Sequence, residues 1–274
     1  MDLRVHSAAS FDCEVGPAEE QRMTGPLTVM ADIEGVEGWL DPEEAAEFRE
    51  AARQTALATA DPVVVEIGSW KGRSTIAIAG GLRAVGCGRV FAIDPHHGSA
   101  EHQGDGPVDT FPEFLENVAS RGLGGHVVPL RETSHAARAR FADRSVHMLF
   151  VDGAHDYASV RQDIDDWRSA LVAGARVAFH NTEWPGVGRA LREMVVCARS
   201  DFRQPRLVRA TLWMRYLPGS PWTAGDSVAA VTARLVIQLR VLAVQMKPFL
   251  PRPLRRWAGR HSELLVNKVS CRVR

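Results

Sequence analysis

The feature that most constrains the fold of this chain is a repeated pattern in which short β-branched runs alternate with longer segments of helical periodicity. The runs are "PVVVEIG" ending at Gly68, "RVFAID" (89–94), "HVVPL" (126–130), "VHMLFVD" (146–152) and "ARVAFH" (175–180). Such continuously apolar runs are typical of strands buried on both faces rather than half-exposed ones. Helices are expected near 73–85, 110–121, 134–141, 157–172 and 186–199. A further helix precedes the first run in "DPEEAAEFREAARQTALATA". There Asp41 is the N-cap, Pro42 takes the first helical position, and Glu43 and Glu44 fall in the first turn, where the helix dipole favours carboxylates. Alternation of this kind builds right-handed βαβ units, so the expected architecture is α/β with a doubly wound, mostly parallel sheet. "RLVRATLWMRY" supplies one or two more strands at the sheet edge. Ligands of such sheets bind beyond the carboxyl ends of the strands, which directs attention to Gly68, Asp94, Thr133, Asp152 and His180.

A length of 274 residues fits one large core with appended termini better than two full domains. Residues 1–34 are expected to form an N-terminal arm or lid, 35–219 the ligand-binding domain and 220–274 a helical, basic C-terminal extension. The net charge of zero hides an asymmetry: acids such as Asp12, Glu14, Glu19 and Glu20 gather near the start, and Arg252, Arg255, Arg256 and Arg260 near the end. Cys13, Cys87, Cys197 and Cys271 form no C-x-x-C pair, which argues against a zinc module and fits a reducing compartment. No basic stretch followed by an apolar one opens the chain, so a cytoplasmic location is expected.

The first strand leads into "VVVEIGSWKGRST", where Glu66 precedes Gly68, Ser69, Trp70, Lys71 and Gly72 at the start of a helix. Glycines here let the chain turn sharply and let a ligand approach the amides of the helix N-terminus. Asp94 ends the second strand, where a carboxylate commonly accepts hydrogen bonds from ribose hydroxyls. The dinucleotide fingerprint G-x-G-x-x-G is not met, because Trp70 stands at the second glycine position and would obstruct a pyrophosphate. A cofactor with ribose but no phosphate suits this loop better.

These residues resemble the first motif and ribose-binding acid of the class I S-adenosylmethionine-dependent methyltransferases. The segments "GWLDPEEA", "VEIGSWKGRSTIAIA", "FAIDPHHGS", "VVPLRETS", "FVDGAHDYASVRQDIDDW" and "VAFHNTEWPGVGRAL" are similar to those of small bacterial O-methyltransferases acting on sugars and natural products, over roughly residues 35–200. The resemblance implies S-adenosylmethionine as cofactor, with Glu66, Gly68, Ser69, Trp70, Gly72, Ser74, Asp94, Ser134 and Asp152 as its contacts. It further implies a divalent cation, Mg²⁺ by preference, held by Asp152, His180 and Asn181, and His155 as the base that deprotonates the acceptor. Related sugar enzymes commonly carry Asp where Asn181 stands, so the lost charge is expected to weaken the metal or make it dispensable. The alternative for His155 is a residue flanking a helix capped by Asp156, and for Asp152 an N-cap. His180 has a core-histidine alternative, His96 and His97 read as loop residues at the site mouth, and "DIDDW" reads as a solvated helix face.

The expected partner is a small-molecule or glycan acceptor; a phenolic or lipid-linked hydroxyl, and a cofactor-binding subunit without turnover, are the alternatives. The apolar and basic C-terminal stretch has three readings: a helix packed on its own domain or on a second subunit of a homo-oligomer, a contact with an anionic membrane through residues 251–260, or a grip on an acidic substrate. Arg234, Gln238, Arg240 and Gln245 argue against a transmembrane span, and sparse aromatic residues argue against nucleic acid.

Overall fold

The structure, a computed structural model, describes residues 26–99 and 106–249. Residues 1–25 of the expected arm and the basic stretch 251–260 lie outside the described residues. Seven strands form one sheet in the order β3-β2-β1-β4-β5-β7-β6. They are β1 (Val63–Ile67), β2 (Arg89–Ile93), β3 (Val127–Leu130), β4 (Val146–Val151), β5 (Leu171–Phe179), β6 (Phe202–Val208) and β7 (Thr211–Tyr216). The first five pair in parallel, and β7 joins β5 antiparallel with β6 outside it. This is the doubly wound, Rossmann-like sheet expected from the sequence, closed at one edge by a hairpin from "RLVRATLWMRY".

Helices cover both faces. They are α1 (Pro26–Ile33), α2 (Pro42–Ala58), α3 (Arg73–Arg83), α4 (Phe111–Ala119), α5 (Ser134–Arg138), α6 (Tyr157–Trp167), α7 (Pro185–Ala190) and α8 (Ala224–Met246). Successive strand residues point to opposite faces, so Val64, Val90, Met148 and Ala178 enter one core with α1 to α4, while Val65, Phe91, Leu149 and Val177 enter a second core with α6, α7 and α8. Both layers are dry, which explains the continuous apolar runs. Phe48 of α2 packs between Phe150 of β4 and Trp213 of β7, with ring centroids 4.2 and 4.7 Å away. Burying each such ring contributes roughly 1.5–3 kcal/mol.

Several boundaries differ from the sequence reading. The helix expected over 157–172 stops at Trp167 and passes through a short 3₁₀ turn, Arg168–Ala170, into a β5 that begins at Leu171, four residues before the expected start. The register of β4 against β5 shifts between Val146 and Met148, so the early part of β5 adds length without a continuous ladder. The helix expected over 186–199 widens into a π-helical stretch at Leu191–Val195. Within the expected arm, α1 brings Ile33 into the core at 1% exposure. Arg73 binds this segment down by donating to the carbonyls of Ile33, Val36 and Leu40.

Candidate active site

Parallel register builds the site. Ile67 pairs with Ile93 and with Val151, and Val151 pairs with Phe179. The residues one step beyond, Gly68, Asp94, Asp152 and His180, therefore stand in a row at the carboxyl edge. Their own amides continue the ladder, as Gly68 donates to Ile93, Asp152 to Ile67 and His180 to Val151 at 2.8–3.1 Å. A cleft of about 980 Å³ opens above this row. It lies at the upper end of the roughly 300–1,000 Å³ usual for ligand sites, enough for a cofactor beside an acceptor.

On the cofactor side, Gly68 adopts φ +84°, and a Cβ there would lie 2.1 Å from the Asp152 carbonyl oxygen. Only glycine permits β1 and β4 to approach so closely while the chain turns. Asp94 knots the loop: one oxygen accepts the amides of Ser69 and Trp70 at 2.9 and 2.8 Å, and the other accepts the amide of His96 at 2.6 Å. Gly68, Ser69, Trp70, Ser74, Asp94, Ser134 and Asp152 all line the cleft. The Ser69 hydroxyl, 2% exposed as a residue, has no hydrogen-bond partner within the protein. A buried orphan hydroxyl at a helix entrance beside an open cleft fits the polar groups of a bound cofactor. Trp70 packs on Trp39, centroids 5.7 Å apart, at the cleft mouth.

Two of the expected contacts lie elsewhere. Gly72 caps α3 and backs onto the ring of Phe114. Glu66 is fully buried beneath the loop, where one oxygen accepts from the Thr75 hydroxyl. Burial raises its carboxyl to about 8, against the hydrogen bonds of Ser74 and Thr75, and the nearby Asp152 and Asp94 add to the rise. Its alternation along β1 turns the side chain under the sheet, away from the cleft.

On the acceptor side, His180 sits between two carboxylates. Its Nδ1 lies 3.1 Å from Asp152 Oδ1, and its Nε2 lies 3.5 Å from Glu44 Oε2, a charge contact rather than a well-formed hydrogen bond. Burial works against the imidazolium, but Asp152 and Glu44 outweigh it and raise the His180 pKa well above the ordinary histidine value. Burial likewise opposes ionisation of both acids, yet His180 holds each below its usual range, with help from His155 at Asp152 and from Thr211 and the Asp41 amide at Glu44. Glu44, 1% exposed, also accepts from the Ala210 amide and the Thr211 hydroxyl, joining α2 to β7. Sequence reading took Glu44 only as a first-turn acid. Its spacing to Phe48, Ala52 and Thr55 along α2 marks the buried stripe and was the available signal.

His155 points its Nε2 into the same corner, 2.8 Å from the Asn181 side-chain amide nitrogen and 3.9 Å from Asp152 Oδ1. An amide N–H can only donate, so in this arrangement Nε2 carries the lone pair. Trp184 lies against the imidazole with centroids 4.6 Å apart. Asp156, not Asp152, caps α6, accepting from the amides of Ala158 and Ser159.

Asp152, His180 and Asn181 thus meet, but not as a metal site. Both His180 nitrogens face carboxylates, and the Asn181 side chain turns its amide nitrogen, not its oxygen, to His155. No group of three or more His, Cys, Asp or Glu among the described residues is arranged to hold a metal ion. The donor set expected for Mg²⁺ does not fit in this arrangement, because the two nitrogens of His180 are turned to Asp152 and to Glu44 on α2.

Two other expectations are corrected. His96 is buried, with Nδ1 2.8 Å from the Thr110 hydroxyl and its ring against Phe111 and Phe114; burial pushes its pKa down. Asp163, within the expected solvated "DIDDW" face, is 6% exposed, accepts from the Ser134 hydroxyl and lines the cleft. Burial raises its carboxyl to about 6.

The fold and its loaded strand edge define the class: this is the class I methyltransferase architecture. Residues 65–182 match a family model described as a methyltransferase domain. An uncharacterized protein of Sinorhizobium fredii, y4gI, is 32% identical over 124 residues, 44% of this chain. The matched stretch spans only 13% of that relative's length. The structure of the O-methyltransferase NovP superposes with a TM-score of 0.52 at 18% identity, covering 64% of this chain and 80% of NovP. A protein from Corynebacterium glutamicum superposes with a TM-score of 0.52 at 14% identity, covering 76% and 94%. Cofactor-bound Rv0187 from MTB gives a TM-score of 0.51 at 16% identity, covering 70% and 87%. At these identities the likeness is one of fold.

Proposed function

We propose that the protein transfers a methyl group from S-adenosylmethionine to a hydroxyl of a sugar or glycosylated natural product, with His155 as the base. The observation that carries the reading is the place of His155, whose Nε2 stands with Asn181 and Asp152 at the carboxyl edge of the sheet beside the loop knotted by Asp94. When bound, S-adenosylmethionine supplies an electrophilic methyl on a sulfonium, a displacement that leaves the protein to align the acceptor oxygen and remove its proton. Gly68, Ser69 and Asp94 would hold the cofactor, and Ser134 with Asp163 would border its far end. The acceptor hydroxyl gives its proton to His155 Nε2 as the new C–O bond forms. The resulting imidazolium faces Asp152, which His180 and His155 keep ionised. Trp184 fixes the imidazole plane, and with Trp39 it forms an aromatic rim suited to the apolar face of a sugar ring. No step is given to a divalent ion, since the His180 nitrogens are committed to Asp152 and Glu44.

The test is a methyl-transfer assay over nucleotide sugars and glycosides, with and without EDTA. The expected result is turnover that chelation leaves unchanged, and a His155→Ala variant slowed by about 10²- to 10⁴-fold with cofactor affinity intact. Full activity in His155→Ala overturns the role of the base, and loss of activity on chelation overturns the metal-free reading.

A further inference from the structure

Helix α8 has two apolar faces, and among the described residues only one is covered. It starts at a capping box between Thr223 and Asp226 and is fastened by Arg203, which pairs with Asp226 at 3.2 Å and donates to the carbonyls of Ser220 and Pro221. It then runs 23 residues, about 34 Å at 1.5 Å per residue. One side is buried against the domain through Ala233, Ile237, Arg240 and Val241. At Gly188 of α7 the approach is so close that a Cβ would lie 2.6 Å from Val241. The opposite side carries Val228, Val231, Leu235, Leu239, Leu242 and Met246, all 43–67% exposed. At about 100° per residue these six fall within a sector of about 80°. Phe249, just beyond the helix, is 78% exposed.

The charges of the helix are drawn away from this stripe. Arg240 is buried, with a guanidinium nitrogen on the carbonyl of Arg209, and Arg234 donates to the carbonyl of Arg192 at 2.9 Å. A contiguous exposed stripe of this kind marks an interaction surface. Ala224–Phe249 is long and apolar enough to cross a membrane, with a mean hydropathy of 1.7. Its inner face, however, is held by the domain, so it is built to lie on a surface. Residues 250–274 carry seven arginines and lysines (Arg252, Arg255, Arg256, Arg260, Lys268, Arg272, Arg274) against Glu263 alone, a net charge of +6.

We propose that α8 lies in the surface of an anionic lipid bilayer, its outer stripe in the acyl boundary and the following basic segment on lipid phosphates. A heptad with Val228, Leu235 and Leu242 at d seats Thr232, Leu239 and Met246 at a, so spacing alone does not choose between a helix pair and a lipid surface, and the basic sequence after α8 makes the choice. The proposal is independent of the methyl-transfer reading.

The test is cosedimentation of the full chain with phosphatidylcholine vesicles, with and without phosphatidylglycerol. Binding is expected only to the anionic vesicles, and it should fall by about tenfold or more in Leu235→Glu/Leu239→Glu, two exposed positions whose change leaves the melting curve intact. An Arg255→Ala/Arg256→Ala variant should bind more weakly as well. Failure of the wild type to bind anionic vesicles overturns the proposal, as does binding that the leucine variant leaves unchanged. A wild-type dimer that ignores vesicles and dissociates in the leucine variant assigns the stripe to a second copy instead.

Discussion

Glu44 sets the chemistry of the acceptor corner from a helix that begins more than a hundred residues before His180. Replacing it by Gln keeps the side-chain shape and an acceptor for Thr211, but leaves a buried imidazolium with one carboxylate instead of two. Breaking a buried pair costs about 3–5 kcal/mol, and Glu44→Gln should lose roughly 3 kcal/mol in urea unfolding because Asp152 remains. Glu66 makes a separate prediction through pH. Its folded-state pKa is raised from 4.5 to about 8, so the native state holds an extra proton between those values. Stability then falls as pH rises through that window, by up to about 1.4 kcal/mol per pH unit. His180, also raised, contributes in the same direction above its unfolded value. Glu66→Gln should flatten much of the decline in melting temperature between about pH 5 and about pH 8, and an unchanged decline would contradict the buried, protonated Glu66. Asp152, His155, His180 and Asn181 were legible as neighbours, because parallel register turns strand ends into a row. Their protonation states were not, since those depend on Glu44 and on an Asn181 side chain whose partner is fixed only in three dimensions.

Elements were legible where local chemistry decides them. The capping box at Asp41 and Glu44 and the apolar strand runs act within a few residues, and they fall where expected. The early start of β5 and the π-helical end of α7 arise from pairing and packing with distant segments, which periodicity does not carry. The two apolar faces of α8 explain why its sequence shows no clean amphipathic moment: opposed stripes cancel in the sum. The crossing of α7 and α8 rests on Gly188, whose added Cβ would also lie 2.8 Å from the Thr182 carbonyl oxygen. Gly188→Ala should therefore cost about 1–3 kcal/mol by overpacking. Chemical denaturation measures this directly, and a neutral result would mean that the helices separate without penalty.

At the scale of the whole molecule, the doubly wound sheet brings the loop knotted by Asp94 and the side chain of His155 to one edge. Helix α2 and the β6–β7 hairpin close the acceptor corner through Glu44 and Ala210. The alternation of strands and helices made the architecture readable, and the resemblance of six motifs pointed to the cofactor. At the position expected for a metal, His180 is turned instead to Asp152 and Glu44. The central claim is that this edge binds S-adenosylmethionine, and calorimetric titration of the full chain with that cofactor tests it most directly. The account predicts saturable one-to-one binding that weakens by about tenfold or more in Asp94→Asn, the loss expected for hydrogen bonds to a charged group. A cooperatively melting wild-type protein that releases no heat of binding, or an Asp94→Asn variant that binds equally well, would contradict it.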